Sequence, residues 1–242
     1  YFRMSQPNIL HNFKSKNFDS RKHKIQFIVL HYTETKNLEK AIDLLTSQKR
    51  KVSCHFVVDT DGQIYNLVSE SKRAWHAGES SWKGLQDMNS RSIGIEIVNL
   101  GEKKLKSYPK VQINQLINLI HFLEEKFKIP FYNVLGHSDI APHRKIDPGK
   151  HFPWKDLYEE KIGLWVEINQ VQNRSLSEKE YEEFLQNLYR IGYQLPKHKN
   201  FKNNNLILTD AFHRHFVPTL VGRKPTSMSL IKSKELLKLN KT

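Results

Sequence analysis

Two histidines and an aspartate lie where apolar runs end or in the loop that follows, and all three can bind a divalent metal ion. His31 follows the run at 25–30, His137 comes just after the run at 131–135, and Asp147 lies further along the same loop. Two imidazoles and one carboxylate leave the fourth position of a tetrahedral zinc ion for water, as catalysis requires. Taken alone, each histidine is more typical of a hydrogen-bonded core position, and Asp147 of a turn. The three together make a candidate metal site, and at this point the core and turn interpretations stay open beside it.

Rigid elements must hold these side chains, and the apolar pattern indicates where they lie. The runs at 25–30 and 131–135 are short and continuous, which predicts buried strands. Gly136 ends the second run, and a loop is expected after it. The Asp-Gly pair at 61–62, between two β-patterned runs, indicates a hairpin. The remaining spacing predicts a strand at 92–98 and helices at 38–50, 111–127 and 154–166.

The two ends of the chain differ in character from its middle. Residues 1–23 lack periodicity and are predicted to form an irregular arm. Near 170 the pattern becomes helical, with Ser175 or Ser177 as the cap of a first helix that Gly192 ends. Two further helices are predicted at 206–216 and 228–239. Residues 169–242 are therefore expected to form a small C-terminal all-α bundle.

Composition excludes several classes of protein. The chain has 242 residues, enough for one or two domains, and no apolar stretch long enough for a transmembrane helix. Its single cysteine, Cys54, excludes an internal disulfide and a multi-cysteine zinc site. A net charge of +14 suggests nucleic acid, but basic residues are spread along the chain and no nucleic-acid motif is present. We therefore predict no nucleic-acid partner.

Five stretches together resemble the bacterial zinc N-acetylmuramoyl-L-alanine amidases of the AmpD/AmiD type. They occur in the family's order, at 27–33, 53–62, 74–78, 92–97 and 136–149. The resemblance implies an α/β catalytic domain at 24–168, with a mixed central β-sheet flanked by helices. It implies one Zn²⁺ per chain on His31, His137 and Asp147. It also implies hydrolysis of the amide between the lactyl group of N-acetylmuramic acid and L-alanine of the stem peptide.

The same resemblance assigns catalytic roles to two charged residues. It makes Glu96 the general base that takes a proton from the attacking water. It makes Lys145 a donor to the negative oxygen that forms during attack. From the residues alone, Glu96 is as well explained by a half-exposed strand, since it alternates with the isoleucines of 93–97. Lys145 is as well explained by an ordinary solvated loop.

Substrate-binding residues are predicted around the same motifs. Arg144 can pair with a stem-peptide carboxylate, and His76 and Asn89 are expected to line the cleft. Trp75 offers an aromatic face to a sugar, but a core position explains it at least as well. The segment 211–216 resembles the helical peptidoglycan-binding domain often attached to these amidases. A module that only supports the catalytic domain explains that segment nearly as well.

The predicted partner is peptidoglycan or a muropeptide, in its ordinary or 1,6-anhydro form. A non-catalytic peptidoglycan receptor on the same fold is the alternative function. We predict a monomer in the bacterial envelope or periplasm, exported or anchored by a leader outside this sequence. The alternative location is the cytoplasm, where the protein would be a recycling enzyme. The sequence leaves open the sugar form, the compartment and the role of the C-terminal helices.

Overall fold

The structure, a computed structural model, describes residues 6–104, 107–168 and 173–239. The strands are β1 Ile9–Leu10, β2 Phe18–Ser20, β3 Phe27–Tyr32, β4 Phe56–Val58, β5 Ile64–Asn66, β6 Lys72–Ala74, β7 Ser81–Trp82, β8 Leu85–Gln86, β9 Ser92–Ile97 and β10 Val134–Gly136. The α-helices are α1 Leu38–Thr46, α2 Met88–Arg91, α3 Lys110–Phe127, α4 His137–Ile140, α5 Trp154–Glu159, α6 Glu178–Ile191, α7 Asn204–Phe216 and α8 Ser227–Leu239. Single 3₁₀ turns lie at Phe131–Asn133 and Pro218–Leu220.

The main sheet has six strands in the order β1-β5-β4-β9-β3-β10. All neighbouring pairs are parallel except β4 and β5, which form the predicted hairpin. The central strands β3 and β9 are buried at nearly every position because helices cover both faces of the sheet. The predicted α/β class with a mixed sheet is therefore confirmed.

Alternation along β3 separates the two faces of the sheet. Ile28 and Leu30 join the cluster under α3, whereas Phe27 and Val29 join a cluster on the opposite face. His31 follows Val29 by two residues and therefore lies on that opposite face. The helix α1 covers another part of the same face through its own small cluster. His31 thus lies between two apolar clusters, at the carboxyl end of a central strand.

The C-terminal helices pack directly on the sheet. Val29 and Leu135 share one continuous buried cluster with Phe184 of α6 and Phe212 of α7. The predicted all-α bundle is present, and Ser177 caps α6 by accepting a hydrogen bond from the amide of Glu180. The boundary near residue 168 stays a prediction, because this apolar core is continuous across it.

Three local predictions are wrong: the strand at 131–135, the loop directly after Gly136 and the length of the helix at 154–166. The run at 131–135 begins with a 3₁₀ turn, since the amide of Asn133 bonds back to Pro130, and the strand occupies 134–136. The expected loop after Gly136 begins with the one-turn helix α4. The helix predicted at 154–166 ends at Glu159, because Lys161 adopts a left-handed backbone with φ of 61°. Beyond it, the amide of Gly163 donates a hydrogen bond to the carbonyl of Phe131.

The predicted irregular arm also differs from the structure. Strand β1 extends the main sheet beside β5, and β2 pairs with β6. These strands have two and three residues, too short for a periodic pattern to reveal them. Arg21, just after β2, donates to the carbonyls of Glu70, Asn89, Ser90 and Ser92. The N-terminal segment is therefore part of the catalytic fold.

Candidate metal centre and active site

The three predicted ligands meet at one point on the sheet face. His31 lies near the end of β3, His137 opens α4, and Asp147 lies in the loop beyond α4. The Nδ1 atoms of the two histidines are 2.9 Å apart. One carboxylate oxygen of Asp147, Oδ2, is 3.0 Å from His31 Nδ1 and 2.9 Å from His137 Nδ1. Three ligand atoms therefore form a small, nearly equilateral triangle.

The chemistry of this triangle fits a divalent metal ion. Burial, and then the neighbouring His137, lower the pKa of His31 to about 4, which leaves the His31 imidazole neutral at physiological pH. Burial alone would raise the pKa of Asp147. The charges and hydrogen bonds of His137 and His31 outweigh burial and hold that pKa well below its usual value. A neutral imidazole and a carboxylate are the protonation states that bind a metal, and the group can hold one.

A second layer of hydrogen bonds orients both imidazoles. His31 Nε2 is 3.0 Å from His76 Nδ1, and His76 Nε2 is 3.3 Å from the hydroxyl of Ser92. The Ser92 hydroxyl donates to the carbonyl of Met88 at 2.5 Å. When a metal occupies Nδ1 of His31, Nε2 carries the proton, and each member of this chain donates to the next. His137 Nε2 similarly faces the carbonyl of Ala77 at 3.2 Å.

Gly94 makes room for this second layer. It pairs with Val29 in the register of β3 and β9, and a Cβ atom there would lie 2.3 Å from Cγ of His76. That distance is far below any real contact, so only glycine allows His76 to lie against the strand.

Replacing Gly94 with alanine is expected to destabilise the protein by about 1–3 kcal/mol, the usual cost of overpacking. Chemical denaturation measures the change in the free energy of unfolding. The cost should shrink in a His76→Ala background, because the clash is with that ring. An equal cost in both backgrounds would contradict the assignment.

Glu96 lies beside His31, because the two residues are partners in the parallel register of β9 and β3. Its side chain therefore points to the same face as the ligands. Oε2 of Glu96 is buried and has no hydrogen-bond partner among the described residues. Burial, and then the negative charge of Asp147, raise the pKa of Glu96 well above its ordinary value. Glu96 is half-buried as a residue, and a carboxylate with one buried, unpaired oxygen beside a metal site has the properties of a general base.

The ligands line the wall of a cleft with a volume of about 300 Å³. Lys145 lines the same cleft, and its positive charge acts against the raised pKa of Glu96. The metal ligands, Glu96 and Lys145 therefore share one concave site, as hydrolysis of a polar substrate requires.

Comparison with known proteins agrees with this geometry. The sequence pattern of the N-acetylmuramoyl-L-alanine amidase family matches residues 21–150. The N-acetylmuramoyl-L-alanine amidase AmiD of Escherichia coli K12 is 34% identical over 216 residues, which cover 81% of this chain and 76% of AmiD. This chain belongs to the N-acetylmuramoyl-L-alanine amidase family.

A solved structure of AmiD and a second relative define how far the similarity extends. The solved complex of E. coli AmiD with the substrate anhydro-N-acetylmuramic acid-L-Ala-D-gamma-Glu-L-Lys superimposes with a TM-score of 0.79 at 29% identity. It covers 91% of the amidase described here and 92% of that chain. The 1,6-anhydro-N-acetylmuramyl-L-alanine amidase AmpD of Haemophilus influenzae is 36% identical over 105 residues. That match covers 43% of this amidase and 56% of AmpD.

The predicted substrate-binding residues of the amidase occupy different positions. Trp75 lines the cleft, and its indole Nε1 has no hydrogen-bond partner within the described parts of the chain. His76 also borders the cleft but contacts His31, as described above. Arg144 lines the cleft while its guanidinium donates to the carbonyls of Ala77 and Glu79. Trp75 and Arg144 thus remain candidates for substrate contact.

Asn89 is not among the residues that line the cleft. It is buried behind the segment that carries His76, and its Oδ1 accepts hydrogen bonds from the amides of His76 at 2.9 Å and Ala77 at 2.6 Å. This side chain shapes the wall of the site from behind. Its assignment to substrate binding has no support from this position.

Sequence reasoning missed other parts of the cleft wall. Glu34 and Glu102 line it and add negative charge to the cleft that Arg144 and Lys145 also line. Glu34 has a left-handed backbone, with φ of 53°, which is uncommon outside glycine and frequent at functional sites. From the sequence, its position three residues after His31 was the signal that could have indicated Glu34 as a site residue. Glu102 lies in a loop with no pattern that would reveal it.

Proposed function

We propose that this amidase holds a zinc ion on His31, His137 and Asp147 and hydrolyses the amide between the lactyl group of muramic acid and L-alanine. The observation that carries the proposal is the unpaired, buried carboxylate oxygen of Glu96 beside the ligand triangle. The 1,6-anhydro muropeptide is the favoured substrate form, because AmpD is named for it and AmiD was solved with it.

The residues of the chain divide the chemistry between them. Zinc, when bound, acts as a Lewis acid and lowers the pKa of water. Glu96 accepts a proton from the attacking water and returns it to the leaving nitrogen of L-alanine. The ammonium group of Lys145 stabilises the negative charge that develops on the carbonyl oxygen. Trp75 and Arg144 are proposed to hold the sugar and a stem-peptide carboxylate.

The alternative, a receptor that binds without cleavage, has less support. A receptor needs a cleft but neither a complete ligand set nor a base. Here the three ligand residues and Glu96 are all present, and further hydrogen bonds orient the ligand imidazoles. Burying these polar groups costs free energy, and catalysis explains that cost better than binding alone.

Incubation with a defined anhydromuropeptide is expected to release the free stem peptide. Release should stop after treatment with a chelator and return when zinc is added, because the proposed mechanism needs the metal. Mass spectrometry of the products measures this, and a parallel reaction with the non-anhydro sugar tests the substrate form. A product cut within the peptide would indicate a peptidase, and bound zinc without any release would indicate the receptor.

The predicted location and monomeric state stay predictions. Among the described residues, no helix combines the length and the apolar character that crossing a lipid bilayer requires. The relatives act on cell-wall material, as their names state, but both proposed compartments are compatible with that activity.

A further inference from the structure

A buried carboxylate lies two residues after the metal ligand His137 and is bonded by side chains of the C-terminal helical region. Asp139 is fully buried in α4, two residues after His137. Its Oδ1 accepts a hydrogen bond from the hydroxyl of Tyr193 at 2.7 Å. Its Oδ2 is 2.7 Å from the amide of Gly136 and 2.8 Å from Nδ1 of His215. Side chains from beyond residue 168 therefore supply two of its three partners.

Asp139 controls the local geometry of the ligand. Its bond to the amide of Gly136 closes the turn in which β10 ends and α4 begins, and His137 lies at that junction. The amide of Ser138 bonds in turn to the carbonyl of Asp147, the third ligand, at 2.9 Å. A change in this one-turn helix is therefore transmitted to two of the three ligands.

The two partners are themselves held rigidly. The ring of His215 stacks on Trp154, with centroids 3.8 Å apart and planes 16° from parallel, and on Phe216 at 4.0 Å. Tyr193 is fully buried and packs edge-on against Trp82. Because both donors are tightly packed, they hold the carboxylate of Asp139 in place.

We propose that Tyr193 and His215 are positioning residues that act through Asp139 to hold His137 in its metal-binding geometry. The inference rests on the metal site of the proposed function. It makes the C-terminal helices a part of the catalytic centre, whether or not they also bind glycan. When either donor is removed, the buried carboxylate of Asp139 loses a hydrogen bond, and the turn that carries His137 loses its fixed shape.

The test compares zinc affinity in variants that keep the rings but remove the donors. Tyr193→Phe and His215→Phe are each expected to weaken zinc binding about 10-fold, the lower end of what losing an outer-shell partner costs. His215→Asn, whose amide nitrogen can replace Nδ1, should recover most of the affinity. Competition with a chromogenic chelator measures affinity without any turnover, and circular dichroism checks the fold.

His213→Phe is the matched control. His213 is buried in the same helix, and it bonds to the carbonyl of Leu220 at 2.8 Å and the hydroxyl of Ser229 at 2.9 Å, away from Asp139. It should keep wild-type zinc affinity. Unchanged affinity in both donor variants, or equal weakening in His213→Phe, would overturn the inference while leaving the metal site intact. A wild-type protein that bound no zinc would overturn both.

Discussion

Replacing Glu96 with glutamine should lower kcat by about 10²- to 10⁴-fold, the range expected for loss of a general base. Glutamine keeps the shape of the side chain in β9 but cannot accept a proton. The buried Oε2 of Glu96 has no hydrogen-bond partner among the described residues, so the substitution breaks no bond there. Loss of turnover would therefore reflect the chemistry, with little change in the fold.

Zinc content separates this result from simple damage to the site. Glu96→Gln should still bind one zinc ion per chain, because Glu96 is not a ligand, and its substrate affinity should remain close to that of the wild type. Glu39→Gln, an exposed carboxylate in the first turn of α1, is the matched control and should retain full activity. Wild-type kcat in Glu96→Gln would assign proton transfer to another group.

Replacing Asp147 with asparagine should weaken zinc binding by more than about 100-fold, beyond the usual effect of losing an outer-shell partner. The substitution preserves size but removes the negative charge that faces both Nδ1 atoms at 2.9–3.0 Å. Activity at limiting zinc should fall in parallel, since the same ion serves binding and catalysis.

Metal analysis after dialysis, together with activity measured across a zinc titration, checks this expectation. Excess zinc should restore part of the activity of Asp147→Asn but none of that of Glu96→Gln, which distinguishes a ligand from a base. Asp43→Asn on the surface of α1 is the control, because its ion pair with Lys40 is solvent-exposed. Equal zinc affinity in Asp147→Asn and the wild type would exclude Asp147 as a ligand.

The ligand positions were accessible to sequence reasoning for a physical reason. A strand buried on both faces is a continuous apolar run, and a polar residue at its end is conspicuous. His31 ends such a run in β3, whereas His137 follows a run of which only 134–136 form a strand, and the structure brings both beside Asp147. The hairpin and the long helix α3 follow from equally local patterns, and both were predicted close to their observed positions.

Other parts of the site depend on contacts between distant segments. Whether Glu96 faces water or the metal depends on which strands flank β9 and in what register, and alternation within 92–98 cannot decide it. Asn89 is polar and adjacent to a motif, yet tertiary packing turns its side chain toward two backbone amides. The partners of Asp139 lie 54 and 76 residues away, and no spacing rule reveals them.

The pairing of β1 with β5 has a consequence for dissecting the protein. A fragment limited to the family match at 21–150 would lack β1 and β2, leaving the outer edges of β5 and β6 unpaired. It would also lack Phe184 and Phe212, which cover the sheet face that carries Val29. Open edges and bare apolar faces promote association between chains. The smallest autonomous catalytic unit therefore extends beyond the family match in both directions.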